Sequence, residues 1–138
     1  RPLPGVSEGG PLRPPGFTTV FPYFFVNDAA GFCAFLAAGL GFEELGRHMD
    51  GGRIANAQLR CGDTSIMVSE AGRGFEAMPA SYYIYVDDAA ATMVRAIAAG
   101  AHSIMDVADM PYGDRQGGLR DAWGNLWWVS QRLSAGAY

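Results

Sequence analysis

The sequence predicts an α+β fold of two tandem βαβββ modules that form a curved mixed sheet with the helices outside. Three observations predict it. First, the chain repeats itself at an offset of about 60 residues. FFVNDAAGFCAFLAAGLGF (24–42) matches IYVDDAAATMVRAIAAGAHS (84–103), and QLRCGDTSIMVSE (58–70) matches GLRDAWGNLWWVSQ (118–131). Second, each copy opens on an aromatic, β-branched run of strand type, VFPYFFV and then SYYIYV. Third, each run leads through an aspartate into an apolar helical pattern that meets glycine.

The elements follow in order. Residues 1–16 hold five prolines and four glycines with no hydrophobic period, which predicts a flexible or extended arm over 1–17. The first module spans about 18–70, the second about 80–132, and 133–138 is a tail. Asp28 and Asp88 are placed to cap the helices. Phe32, Phe35 and Leu36 make the buried face of the first helix, and Met93, Val94 and Ile97 that of the second. Gly39 and Gly100 are the expected helix stops. Three strands then fit each copy: FEELGRH, IANAQLR and SIMVSE, and SIMDVA, GGLRDA and NLWWVSQ. CGD and AWGN suit the tight hairpins between the last two. One such module leaves a sheet face open, and two side by side enclose a concave hollow, the natural binding site.

Composition narrows the function. The chain has 138 residues, 49% hydrophobic and 17% charged, as expected of one globular domain. Its net charge of -4 argues against nucleic acid, whose phosphates need clustered positive charge. A neutral or cationic ligand suits it better. AAGFCAFLAAGLGF is too short and too glycine-rich for a membrane span, and no secretory signal is visible. Cys33 and Cys61 read as two buried thiols in a reducing cytosol, which places the protein in the cytoplasm. No nucleophile elbow, G-x-G-x-x-G or P-loop is present.

YGDRQGGLRDAWGNLWW (112–128), set in a tandem βαβββ pair, resembles the vicinal oxygen chelate superfamily of glyoxalase I, extradiol dioxygenases, fosfomycin-resistance enzymes and bleomycin-resistance proteins. The string is similar to that group's "YGDR…RDPxGxxW" signature, with Ala122-Trp123 in place of its proline and variable residue. The resemblance covers about 18–132 and sits closest to the bleomycin-resistance-like drug-binding proteins. Enzymes of that superfamily hold a divalent metal on four inward side chains, and the resemblance puts those positions at Phe21, Gln58, Ser81 and Trp128. Of these only Gln58 is a plausible ligand, since first-row metals want imidazole, carboxylate or thiolate. His48 and His102 are expected off the inward face. The expectation is therefore no metal and no cofactor.

Strand alternation then lists the inward face. With 21, 58, 81 and 128 pointing in, so do Tyr23, Phe25, Asn56, Tyr83 and Tyr85, while Trp127 faces the helices. Such a face can stack on a planar ring and hydrogen-bond its edge. The same aromatics would be core if the two halves of one chain closed on each other. Trp123, in a turn, is expected at a ligand lip, and Tyr112 in the loop that could close over the hollow. Asp114 and Arg115 suggest a salt bridge fixing that loop, with Tyr112 or Arg115 reaching a ligand as the sharper reading. Arg60 and Arg120, a duplicated pair, suggest structural partners such as Asp63 or Asp121.

The candidate ligand-binding set is thus Phe21, Tyr23, Phe25, Asn56, Gln58, Tyr83, Tyr85, Tyr112, Trp123 and Trp128, with no catalytic residue. By resemblance the protein sequesters a planar aromatic, peptide-type antibiotic without chemistry, for self-resistance in a bacterial producer, as a homodimer with shared clefts. The alternative is a metal-independent isomerase or lyase of the same superfamily. Neither nucleic acid nor membrane is an expected partner.

Overall fold

The computed structural model describes residues 10–138. The first part of the expected arm therefore lies outside the described residues. From Gly16 onward the chain is tied down, because the Ser65 hydroxyl donates to the Gly16 carbonyl at 2.6 Å.

The strands form two separate four-stranded sheets. The first contains β1 (Tyr23–Val26), β2 (Glu43–Asp50), β3 (Arg53–Cys61) and β4 (Thr64–Glu70), in the order β1-β4-β3-β2. The second contains β5 (Ser81–Tyr85), β6 (His102–Asp109), β7 (Asp114–Arg120) and β8 (Leu126–Arg132), in the order β5-β8-β7-β6. Helix α1 (Ala29–Leu40) follows β1, and α2 (Ala89–Ala98) follows β5. In each sheet the opening strand runs parallel to the last, and the other pairings are antiparallel. This is the βαβββ module twice over. The chain divides into two compact units, one of residues up to Cys33 with Phe42–Ala77, the other of Ala34–Gly41 with Met78–Tyr138.

The repeated sequence ends have a structural reason. Glu70, closing β4, accepts from the backbone N–H of Asp28 and of Ala29, both at 2.9 Å. Gln131 in β8 accepts from Ala89 N–H at 3.0 Å. Each helix N-terminus is thus satisfied by the strand parallel to the one that precedes it. Asp28 and Asp88 add bonds from Gly31 N–H and Ala91 N–H.

In the first unit Phe24 and Val26 point to the helix side with Ala57, Leu59, Ile66 and Val68, all buried. The Phe24 ring lies 5.2 Å from that of Phe32 on α1. Burial of each such side chain contributes roughly 1.5–3 kcal/mol. In the second unit Trp127, Val129, Ile84, Leu119 and Met93 form the core.

Two helix expectations are corrected. α1 continues through Gly39 to Leu40, and the left-handed stop is Gly41 at φ 77°; Gly100, at φ 114°, does end α2. Phe32, Phe35 and Leu36 are buried as expected, but on α2 Val94 and Ile97 are exposed. The buried side of α2 is Ala89, Thr92, Met93 and Ala96, a regular i, i+3, i+4, i+7 stripe. A Cβ added at Gly117 of β7 would stand 2.8 Å from the Met93 sulfur, so the glycine leaves the space that Met93 fills.

Candidate functional site

Register assigns the face of each sheet away from its buried core, because paired residues on neighbouring strands project to one side. In the first unit Tyr23 pairs with Met67, Met67 with Gln58, and Phe25 with Ser69. Tyr23 is 44% exposed and its ring lies 4.6 Å from that of Phe25. Phe25 in turn stacks on the exposed Phe75 at 5.6 Å. The polar tips are tied down. Ser69 Oγ donates to the Ala55 carbonyl at 2.6 Å, so its one proton is spent. The 2.8 Å contact between Tyr23 Oη and Ser69 Oγ is then a bond donated by the tyrosine. Gln58 Nε2 donates to Asn56 Oδ1. Phe21 precedes β1 and stands edge-on to Phe17 at 4.9 Å.

In the second unit Ser81, Tyr83 and Tyr85 pair with Leu126, Trp128 and Ser130, and those three pair onward with Arg120, Gly118 and Gln116. Tyr83 and Tyr85 are nearly half exposed, and Trp128 is half-buried. Both phenols donate to one oxygen of Asp114, at 2.5 and 2.9 Å. Its other oxygen receives Arg132 Nη1 at 3.0 Å. Tyr112 Oη donates to Gln116 Oε1 at 2.5 Å, and Gln116 Nε2 to Ser130 Oγ at 2.7 Å. Trp128 Nε1 donates to Ser81 Oγ at 2.8 Å, so the indole has a fixed tip and an open ring.

These bonds set the charge states. Asp114 is fully buried; burial pushes its pKa up, but the bonds from Tyr83, Arg132 and Tyr85 outweigh this, and the net shift is downward. The Tyr83 phenol is raised by burial and by its bond to Asp114. That of Tyr85 is raised by its bond to Tyr138, then by burial and Asp114. The carboxylate stays charged and its phenols keep their protons, which suits a rigid scaffold better than a proton relay.

Several expectations are corrected. Asp114 pairs with Arg132 rather than Arg115, which pairs with Asp109 at 2.7 Å. Adjacent residues of one strand point to opposite faces and cannot meet. Arg60 pairs with Glu43 at 3.3 Å, not Asp63, and the Asp121 carboxylate is occupied within its own turn. His48 pairs with Asn56 and His102 with Arg120, so both lie at the edges of the open faces rather than off them. Trp123 sits on the helix side, its ring 6.0 Å from that of Phe35. Cys33 is buried, but Cys61 only partly so. Gln116 and Arg132 were missed, and Asp114 was placed in the loop rather than on the face; counting the alternation back from Gly118 along β7 puts Gln116 and Asp114 there.

The metal positions of the resembled enzymes do not fit here. In the first unit Phe21 has no donor atom, which leaves the Gln58 amide oxygen as a lone, weak ligand. In the second, Ser81 takes the Trp128 indole proton and Trp128 has no lone pair to offer. No group of three or more His, Cys, Asp or Glu side chains could hold a metal among the described residues, and no helix there is long and apolar enough to cross a membrane.

Comparison with known proteins agrees with this architecture. The model of the Glyoxalase/Bleomycin resistance protein/Dioxygenase superfamily matches residues 18–129, and the chain belongs to that superfamily. It is 28% identical to the Mycobacterium bovis protein Mb0911c over 80% of each chain. Among solved structures it is similar to TioX from Micromonospora sp. ML1, with TM-score 0.69 and 26% identity over 87% of this chain and 100% of that one. It shares its fold with TnmS3, an antibiotic binding protein from Streptomyces sp. CB03234, with TM-score 0.63 and 20% identity over 83% and 96% of the two chains.

Proposed function

We propose that this superfamily member is a metal-free binding protein that sequesters a planar aromatic, peptide-type antibiotic by stacking it on the open sheet faces, a drug self-resistance role. The observation that carries the reading is how the aromatics are held. Tyr23, Tyr83 and Trp128 each spend their polar atom on an internal partner and leave the ring toward solvent. A core would bury such rings, and an idle surface would not fix them. A wall fixed in advance loses little conformational entropy when a flat ligand arrives. The antibiotic-binding function carried in the name of TnmS3 supports the same reading. So does Asp114, the buried carboxylate of the second face, because three donors commit it and it is not a free base for isomerase or lyase work. The working unit is a cytoplasmic homodimer whose two chains share each cleft, and the net charge of -4 favours a neutral or cationic drug.

Titration with bleomycin and with a quinoxaline antibiotic, followed by tryptophan fluorescence, tests this. Quenching that saturates, disappears in Trp128→Ala, and returns the drug chemically unchanged is the expected result. No quenching by either drug at high micromolar concentration, or recovery of a modified drug, refutes it.

A further inference from the structure

The segment Ser134–Tyr138 turns back onto the second sheet's open face, at the end marked by Tyr85 and Arg132. Arg132 is held from below by Asp114, and its Nη1 also donates to the Tyr112 carbonyl at 2.6 Å. Its outward nitrogen, Nη2, donates to two consecutive backbone carbonyls, Gly136 and Ala137, both at 2.9 Å. The Tyr138 ring lies over the guanidinium, 4.9 Å from centroid to carbon, and its hydroxyl meets that of Tyr85. The segment is held lightly, since Tyr138 remains 81% exposed. An open hollow of about 330 Å³ lined by Tyr85, Val86, Asp87, Gln131 and Arg132 adjoins it, and a second of about 320 Å³ is lined by Tyr85, Arg132 and the segment's own Gly136, Ala137 and Tyr138.

We infer that Arg132 and Tyr85 form a recognition subsite for peptide, reading two consecutive main-chain carbonyls followed by an aromatic ring, and that Gly136–Tyr138 is its resident, displaceable occupant. The guanidinium fork is fixed before anything binds, so it matches carbonyl geometry at little entropic cost. Arginine over a tyrosine face adds a cation–π contact. Asp87, beside the adjoining hollow, suits a peptide that carries positive charge. The subsite deepens the function proposed above and rests on it for the ligand class: it takes the peptide part of the ligand, while Trp128 takes the flat ring.

The test uses the full chain and a fluorescein-labelled Ser-Ala-Gly-Ala-Tyr amide, read by anisotropy. In the parent protein the internal segment competes at a millimolar-order effective concentration, so Tyr138→Ala is expected to bind the peptide about tenfold or more tighter. A peptide ending in alanine loses that gain. Arg132→Lys in the Tyr138→Ala background weakens binding again, because an ammonium held on Asp114 cannot also span two carbonyls; circular dichroism checks its fold, and the alanine-ended peptide carries the test if that variant unfolds. Equal affinity for parent and Tyr138→Ala, no binding to either, or indifference to the peptide's tyrosine overturns the inference. Quinoxaline quenching is measured on the same proteins. Peptide binding without quenching leaves the subsite standing and removes the stacking role; quenching without peptide binding does the reverse.

Discussion

Replacing Asp121 by alanine should cost roughly half the stability of the fold. One carboxylate there receives four donors: Trp123 N–H, Asn125 N–H, Asn125 Nδ2 and Trp127 Nε1, all between 2.9 and 3.0 Å. Asn125 and Trp127 are buried, at 0% and 3% exposure, so water cannot replace the lost acceptor for the Asn125 N–H, its Nδ2 or the Trp127 Nε1. Each buried donor left unsatisfied costs about 1–3 kcal/mol, which gives about 3–9 kcal/mol for the three. Trp123 is only half-buried and its N–H can recruit water, so it adds little. Against a typical total of about 5–15 kcal/mol the loss is severe. Asp121→Asn keeps one carbonyl oxygen but turns an NH₂ toward the donors, and should fall between. The shorter turn of the first repeat supplies the control: Asp63 is exposed and receives the Thr64 hydroxyl at a long 3.3 Å, so Asp63→Ala should cost under about 0.5 kcal/mol. Urea unfolding followed by circular dichroism measures all three. A cost below about 1 kcal/mol for Asp121→Ala, or a cost for Asp63→Ala equal to it, would refute the idea that this carboxylate organises the turn.

Three further outcomes are expected. Gly118→Ala places a Cβ 2.9 Å from Trp128 Cζ3, and the ring must move because Met105 and Ile104 crowd the other side at 3.2 and 3.1 Å; drug quenching should weaken by about fivefold, or about 1 kcal/mol of stacking, and unchanged affinity would show that the ring position is irrelevant. The lowered pKa of Asp114 means its stabilisation is complete above the unfolded carboxylate value of about 3.9 and is lost as pH falls through the lower folded value, so acid unfolding below about pH 4 should be shallower in Asp114→Asn. Burial pushes the Cys33 thiol up to about 11, with Glu44 adding to the effect, so a thiol reagent at neutral pH should label the partly exposed Cys61 first and Cys33 only at the rate of unfolding; equal rates would contradict that burial.

What the sequence made legible follows from one strict periodicity. Strand neighbours alternate, so fixing one inward position fixes the rest, and the assignment of Trp128 outward and Trp127 to the core needed nothing more. The rotation of α2 was not legible for a physical reason. Its sequence is rich in alanine, which fits either face, and the larger Val94 and Ile97 drew the apolar stripe toward themselves. The interior takes Met93 with its smaller neighbours Ala89, Thr92 and Ala96 instead, because Gly117 on β7 leaves room for the Met93 side chain. That room belongs to a partner strand about 20 residues away and leaves no mark on the helix's own period.

The Asp114–Arg132 pair is itself implied by the turn between β7 and β8. The hairpin that closes on Asp121–Asn125 sets Arg120 opposite Leu126. Six residues back from Arg120 and six on from Leu126, the same ladder sets Asp114 opposite Arg132. The same count pairs Gly118 with Trp128 and Gln116 with Ser130, so Asp114, Gln116, Ser130 and Arg132 lie on one ladder. In the first repeat, Cys61 opposite Thr64 leads by three steps to Gln58 opposite Met67. The two turns therefore do more than reverse the chain. By setting register they decide which side chains share a face, and a one-residue slip at either would send Trp128 or Gln58 to the core side. The turn residue Asp121, on no open face itself, thereby becomes the residue on which the second face depends, and loss of its four bonds should loosen Trp128 before it unfolds the sheet.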